Sequence, residues 1–303
     1  MTISTSYLFD RALGQMTDLQ TRISKAQDQL ATGKLVVSPS DDPEKISVMQ
    51  RLKSALNRQD SYANTLQAAG VRLNAQENAV RNSSTILVRI KELALQASSD
   101  TMNIEDRTNI ASEIEGLQKD LLSLANTTDV NGNFVFGGSR VSTAPFSVVA
   151  GIASYQGDQA DVQAEAGDQR KVQISRPGSA VFAGTIRADS GERVGFFQVL
   201  EDLKTAINDS TYADMQRGLD ELDKLQSGFS QAVVQIGTEL NVVENQTKII
   251  DDTRIQLQTT LSQVQDTDYT EAITRLQKEM LGLQAAQSSF AKTSDLNLFN
   301  YIR

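Results

Sequence analysis

Residues Met215–Val264 read MQRGLDELDKLQSGFSQAVVQIGTELNVVENQTKIIDDTRIQLQTTLSQV, and one mostly apolar stripe, spaced alternately by four and three residues, runs from end to end. Such spacing keeps one face of an α-helix against a partner over many turns. At about 1.5 Å per residue the helix would be about 75 Å long, which favours an elongated bundle. The stripe comprises Met215, Leu219, Leu222, Gln226, Phe229, Val233, Ile236, Leu240, Val243, Thr247, Ile250, Arg254, Leu257, Leu261 and Val264.

A second long helix is predicted after Pro43, because mainly apolar residues recur there every seven positions, as in a coiled coil. We expect this helix to be the partner of the first. A shorter helix with five apolar positions from Ile110 to Leu124 should begin at Asn103 and Asp106, whose spacing resembles a capping box. The sevenfold repeat comprises Leu52, Gln59, Leu66, Leu73, Val80, Leu87 and Ala94, with Met49, Leu56 and Ala63 between them.

Four polar residues interrupt the two long stripes, namely Gln59, Gln226, Thr247 and Arg254. Polar residues at such positions can fix the alignment of two helices at some cost in stability. They can equally be water-exposed imperfections in a long stripe. The sequence leaves both interpretations open.

The pattern changes between about residues 131 and 191, where Gly and Pro accompany short β-favouring runs such as FVFGG, PFSVV and IASYQG. Helical patterns resume afterwards and pair with those before, so the layout is nested. The predicted class is mainly α, a long antiparallel coiled-coil-like helical bundle with a small β-rich inserted domain. The predicted domains are a terminal helix pair (1–42 and 268–303), a helical bundle (43–133 and 192–267) and the β-rich insert (134–191).

Two shorter stripes lie near the ends of the chain and are matched in length, so they can pair. Isolated helices shorter than about 12 to 15 residues are only marginally stable, and these are only modestly longer, so they must be buried against partners. A membrane surface is a poorer partner than other helices, because the stripes lack a Lys/Arg-rich polar face. The stripes comprise Phe9, Ala12, Met16, Leu19, Ile23, Ala26 and Leu30, and Ile273, Leu276, Met280, Leu283, Gln287 and Phe290.

The segment ATGKLVVSPSDDPEKI (31–46) separates the first two helical patterns. Gly33 suits a helix C-cap, Pro39 keeps its neighbours extended, and Asp42 before Pro43 fits an N-cap followed by proline at the first helical position. A calcium site at Asp41, Asp42 and Glu44 is the rival interpretation, but the twelve-residue calcium loop pattern is missing. We therefore predict a hinge that redirects the chain.

Composition excludes most familiar activities. The 303 residues carry a net charge of −9 and contain neither Cys nor His, so nucleic-acid binding, thiol chemistry and the usual zinc sites are not expected. The glycine-rich GGSR at 137–140 lacks phosphate-loop spacing, and the paired acids Asp41–Asp42 and Asp251–Asp252 suggest solvated surface rather than catalysis. We expect no enzyme activity, no cofactor, no metal, no membrane-spanning helix and no Sec-type signal peptide.

Several motifs resemble the flagellin superfamily of bacterial flagella, and within it the hook-associated junction proteins of the FlgL type. The resemblance covers roughly residues 1–138 and 191–303. It is carried by QLATGKLVVSPSDDP (29–43), IKELALQAS (90–98), NGNFVFGG (131–138) and DTDYTEAITRLQKEMLGLQAAQSSFAKTSDLNLFNYIR (266–303). Flagellins proper usually read differently in the first of these motifs.

This resemblance implies a secreted structural subunit at the hook–filament junction of the flagellum, exported by the flagellar type III route without a cleaved signal peptide. Its implied partners are copies of itself in a ring, the FlgK-type junction protein, flagellin and an export chaperone that shields the C-terminal helix. A short flagellin, or an unrelated coiled-coil scaffold or translocator, is the alternative. The predicted assembly interface comprises Phe9, Met16, Leu19, Ile23, Leu30, Ile273, Leu276, Met280, Leu283, Phe290, Leu298, Phe299 and Tyr301, and the predicted hinge comprises Gly33, Pro39, Asp41, Asp42 and Pro43.

Overall fold

The structure, a computed structural model, describes residues 2–38, 40–149 and 151–298. Helices dominate these residues, which confirms the predicted mainly α class. The elements in chain order are α1 (Thr2–Thr32), α2 (Pro43–Ala97), α3 (Ile104–Ala125), β1 (Phe146–Val149), β2 (Ile152–Tyr155), β3 (Val162–Glu165), β4 (Lys171–Ser175), α4 (Gly178–Val181), β5 (Thr185–Ile186), β6 (Arg193–Val194), α5 (Phe196–Asn208), α6 (Tyr212–Gln265) and α7 (Tyr269–Leu298).

Two compact units divide the chain, one of Met1–Arg58 with Thr253–Arg303 and the other of Gln59–Asp252. Both boundaries fall inside the long helices α2 and α6. The three-part layout expected from the sequence stays a prediction. Within residues 2–38, 40–149 and 151–298, no helix contains an apolar stretch long enough to cross a bilayer.

In the second unit α2 and α6 pack antiparallel, as their stripes predicted. Lys91 pairs with Asp223, and the Gln226 amide nitrogen donates to the Ser84 hydroxyl at 2.6 Å. Farther along, Gly70 of α2 faces Val243 of α6. Residue numbers therefore fall on α6 as they rise on α2.

The predicted stripes are the buried faces of this pair. On α2 the residues Leu66, Leu73, Val80 and Leu87 are almost completely buried, as are Met215, Leu222, Phe229, Ile236 and Ile250 on α6. Of the polar interruptions, Gln226 binds across to α2, which supports a role in alignment, whereas the Thr247 hydroxyl donates to the Val243 carbonyl of its own helix.

A second buried row on α2 escaped the sequence analysis. It repeats every seven residues beside the first and includes two polar members, which is why a search for apolar periodicity misses it. The row comprises Ala69, Gln76, Ser83, Ile90 and Ala97.

Helix α3 begins where its capping residues predicted. The Asn103 side chain accepts a hydrogen bond from the Asp106 backbone N–H at 2.7 Å, which satisfies one of the free donors at the helix start. Its apolar residues Ile110, Ile114 and Leu121 are buried, and the helix packs against α5.

The β-rich segment consists of three separate antiparallel pairs, β1–β2, β3–β4 and β5–β6. Its aromatic residues join the core formed by the helices. The Phe182 ring meets Phe136, Phe196 and Phe229 edge to face, with ring centroids 5.4 Å apart in each case. The insert therefore shares its core with α5 and α6.

Buried polar side chains attach the insert to the long helices. The Gln76 amide nitrogen donates to the Val135 carbonyl at 2.5 Å and to the Arg176 carbonyl at 3.2 Å. On α6, Gln246 donates to the Ala166 carbonyl at 2.8 Å. Because backbone carbonyls buried in a core need donors, these contacts fix where the insert lies.

Candidate assembly interface

In the first unit α1 and α7 pack against each other, as the terminal stripes predicted. The Phe9 and Phe290 rings meet edge to face with centroids 5.1 Å apart, and Arg22 pairs with Glu279 at 3.8 Å. Such an aromatic pair contributes about 0.5–1.5 kcal/mol beyond burial. The partner of Phe9 on α7 is residue 290, and the partner of Arg22 is residue 279. Residue numbers therefore fall on α7 as they rise on α1, so the two helices are antiparallel.

The inward face of α1 is the predicted stripe. Its residues are buried or half-buried, and Ala26 is the most enclosed. The half-buried members in the predicted interface are Phe9, Met16, Leu19, Ile23 and Leu30.

The prediction for α7 was partly wrong, because Ile273 is 46% exposed, Met280 is 53% exposed and Gln287 is also exposed. Two stripes with alternating steps of three and four residues share Leu276, Leu283 and Phe290. The stripe that faces α1 is not the predicted one but the alternative. Small residues allow helix axes to approach closely, and they leave the larger Ile273 and Met280 outside. The inward stripe comprises Ala272, Leu276, Glu279, Leu283, Ala286 and Phe290.

An open, largely apolar groove of about 650 Å³ runs along one side of the α1–α7 pair, and none of its lining residues is charged. Leu281, which the stripe analysis missed because it lies beside the stripe, is 66% exposed. An exposed apolar area of this kind typically marks an interaction surface. The uncharged groove is lined by Ile23, Gln277, Met280, Leu281, Leu283, Gln284 and Gln287.

Four of the predicted residues need separate mention. Leu298 is the last residue of α7. Phe299, Tyr301 and Pro39 lie outside the described residues.

Gly33 ends α1 in the left-handed conformation that its position predicted, with φ of +68°. The connector that follows pairs with the connector before α7. The Leu35 N–H donates to the Gln265 carbonyl at 2.7 Å, and the Thr267 N–H donates to the Gly33 carbonyl at 3.0 Å. The sequence carries no local signal for this pairing, because the two segments are more than 200 residues apart.

Side chains of α1 also hold the first connector. The buried Gln29 donates from its amide to the Leu35 carbonyl at 2.6 Å, and Lys25 donates to Asp41 at 2.8 Å. Asp41 accepts a further bond from the Ser38 N–H at 3.0 Å. The hydrogen bonds from Lys25 and then from Ser38 hold the pKa of the Asp41 carboxyl below its usual value. Gln29 escaped the sequence analysis because a lone polar residue on α1 carries no sign of burial.

Aspartates cap the N-termini of the two helices that follow the connectors, α2 and α7. Asp42 accepts the Lys45 N–H at 3.0 Å, with Pro43 as the first residue of α2, as predicted. Asp268 caps α7 by accepting the Thr270 N–H at 2.8 Å. Asp41 thus accepts hydrogen bonds from Lys25 and Ser38, and Asp42 accepts one from the Lys45 N–H. The described ranges hold no cluster of three acidic residues that could bind a metal.

Comparison with known proteins identifies relatives of this architecture. Residues 3–140 match the bacterial flagellin N-terminal helical region. Flagellar hook-associated protein 3 of Escherichia coli (strain K12) is 29% identical over 316 aligned residues that cover 99% of each chain. A flagellin of Listeria monocytogenes is 23% identical and covers 90% of this chain and 88% of its own length.

Among solved structures, the flagellar junction protein FlgL from Legionella pneumophila matches with a TM-score of 0.58 at 18% identity. The match covers 65% of this chain and 99% of that one, which supports the same fold. The similarity to a hook-associated protein extends over nearly the whole length of both sequences. The chain is thus a full-length homologue of the flagellar hook-associated proteins of the FlgL type, with a flagellin-like N-terminal helical region.

Proposed function

We propose that this chain is a structural, non-catalytic subunit of the bacterial flagellum that joins the hook to the flagellin filament. The observation that carries the proposal is its similarity to a flagellar hook-associated protein along 99% of both chains. A solved relative of the same fold is named a flagellar junction protein. Helices α2 and α6 have 55 and 54 residues, and helices of this length suit a load-bearing structural subunit.

The proposed assembly interface is the α1–α7 pair, and its proposed occupant is the same pair of a second copy. The groove offers exposed apolar side chains among glutamines and carries no charge, so two copies can meet there without like-charge repulsion. Burying a large apolar side chain contributes about 1.5–3 kcal/mol. Ile273 and Met280, which are exposed in the single chain, become contacts between copies in this proposal.

The remaining partners follow from a place at the junction. We propose a FlgK-type protein on the hook side, flagellin on the filament side, and an export chaperone that covers the C-terminal helix before export. Localisation is then extracellular, in the flagellum, after passage through the flagellar type III route. We propose that the connector containing Gly33, Asp41 and Asp42 is a hinge that sets the direction in which the chain leaves α1.

The second candidate is a short flagellin that builds the filament itself. It is favoured by the similarity to the Listeria flagellin, but that similarity is lower in identity and covers less of both chains than the match to the hook-associated protein. The similarity to a flagellar protein along 99% of both chains disfavours an unrelated scaffold or translocator.

Deletion of the gene in the source organism separates the two candidates. The junction proposal predicts intact hooks, no filaments, and flagellin released into the medium, with filaments restored by the gene in trans. A short flagellin predicts instead that the secreted filament protein itself disappears. Deletion cells with normal filaments would contradict both proposals.

A further inference from the structure

The methionines of the described residues differ sharply in exposure. Met280 is 53% exposed, whereas Met49 and Met215 are 5% and 1% exposed. Met16 and Met102 are half-buried. Among the methionine side chains that the structure describes, Met280 is therefore the one most open to a reagent in solution.

The surroundings of Met280 make this exposure consequential. Met280 lines the open groove of the α1–α7 pair together with Ile23, Leu283, Gln277, Gln284 and Gln287. With that groove open, a small neutral oxidant such as a peroxide can reach the sulfur.

We propose that Met280 is an oxidation site through which peroxides block the docking of a second copy, a step that rests on the proposed function of the groove. The sulfur lone pair attacks one peroxide oxygen, so that the S–O bond forms as the O–O bond breaks. Sulfur loses two electrons and the peroxide gains them. Hydrogen peroxide leaves as water, and its protons remain with that water.

The product is a polar sulfoxide in place of an apolar thioether. A sulfoxide oxygen buried in an apolar contact lacks the hydrogen bonds it has in water, so docking becomes unfavourable. Methionine sulfoxide reductases can reverse the change, which makes the block reversible. Oxidation acts before assembly, because a docked copy covers the groove.

The first test measures oxidation alone. The purified full chain is treated with hydrogen peroxide for increasing times, quenched with catalase, and digested for mass spectrometry of each methionine peptide. Met280 sulfoxide should form on the order of tenfold faster than sulfoxide at Met49 or Met215, because reactivity follows exposure. Equal rates at Met280 and Met215 would overturn the assignment, whatever the protein does in the cell.

The second test measures docking. Treated and untreated chains are added to hooks from a strain that lacks the gene, and bound protein is counted by immunogold labelling. The readout is the ratio of treated to untreated binding for each protein. Wild type and Met102→Leu should lose most of their hook binding on peroxide treatment. For Met280→Leu the ratio of treated to untreated binding should stay near one, even if its untreated binding is weaker than that of wild type.

Further measurements keep the outcomes distinct. Reductase treatment should restore binding of the oxidised wild type, in proportion to the Met280 thioether recovered by mass spectrometry. If untreated wild type does not bind hooks, the proposed function fails. If untreated protein binds and oxidised protein binds equally well, or if reductase restores Met280 without restoring binding, the oxidation inference fails.

Discussion

The hydroxyl oxygen of Tyr269 lies against Gly33, so close that a Cβ built on Gly33 would be 2.8 Å from it. The first residue of α7 thus packs against the residue that directly follows α1. Two constraints therefore apply to Gly33, its left-handed backbone and this contact, and they can be separated by substitution.

Gly33→Ala should destabilise the chain by more than the roughly 1–2 kcal/mol that a left-handed backbone costs a residue with a Cβ. Gly132→Ala is the matched control, because Gly132 also has positive φ, yet among the described residues beyond its chain neighbours no atom lies within 4 Å of a built Cβ. Tyr269→Phe removes the nearest atom and leaves the next at 3.7 Å, so it should recover part of the loss in the double variant. Urea unfolding measures all four proteins. A Gly33→Ala loss no larger than that of Gly132→Ala would show that Tyr269 does not constrain the site.

Phe290→Asp should separate α1 from α7, because it removes the ring that meets Phe9 and places a carboxylate in a half-buried seam. Gln287→Asp is the control, since Gln287 is exposed one turn away on the same helix. Amide hydrogen exchange should accelerate along α1 and α7 in the first variant alone, and hook binding should fall with it. Unchanged exchange in α1 would contradict the pairing.

The sequence predicted what repeats and missed what is unique. The α6 stripe from Met215 onwards was predictable because its alternating steps persist over many turns. Ile273 and Met280 were misplaced because two equally regular stripes share Leu276 and Leu283, and only the packing of α1 against small residues decides between them.

Contacts between distant segments had no periodicity to predict them. The pairing of Leu35 with Gln265 and the approach of Tyr269 to Gly33 depend on the whole fold. Gln29 and Gln76 were missed for a related reason. A buried polar residue is recognised from its partners, and the backbone carbonyls that accept their hydrogen bonds are not visible in the sequence.

Asp42→Ala should lower the free energy of unfolding by about 1 kcal/mol, the usual contribution of an N-cap side chain. Its carboxylate accepts the Lys45 N–H at the start of α2, and alanine leaves that donor to water. Glu44→Ala, two residues later in the same first turn, removes a carboxylate without removing the cap. Urea unfolding should rank Asp42→Ala as the less stable. Equal losses would assign the effect to charge near the helix start rather than to capping.

The Asp41 carboxylate should show its hydrogen bonds in an acid titration. Because the pKa of Asp41 is lowered in the folded chain, its contribution to stability is present above the usual value of about 3.9 and is lost as the pH falls through the lower folded value. The Ser38 amide proton, which donates to this carboxylate, reports the titration by NMR. Its midpoint should lie below 3.9 and should rise in Lys25→Met, since Lys25 supplies the largest cause of the shift. The same midpoint in wild type and in Lys25→Met would show that the ion pair between Lys25 and Asp41 does not form in solution.

Gln76 and Ser83 occupy the same buried row of α2, seven residues apart, and should respond oppositely to removal of their polar groups. Gln76→Leu removes the amide that donates to the Arg176 and Val135 carbonyls. A buried polar group left without a hydrogen bond costs about 1–3 kcal/mol. The Ser83 hydroxyl is buried and, within the described part of the chain, has no hydrogen-bond partner, so Ser83→Ala removes an unmet polar group and should be neutral or stabilising.

Hydrogen exchange adds a local readout to the unfolding measurement for this pair. Because Gln76 binds the insert, Gln76→Leu should speed exchange in β4 and around Val135 before it affects the helices, whereas Ser83→Ala should leave both slow. The two variants together test whether a buried polar residue on α2 stabilises the chain by its contacts with the insert. A Ser83→Ala loss as large as that of Gln76→Leu would mean that filling the row matters more than those hydrogen bonds.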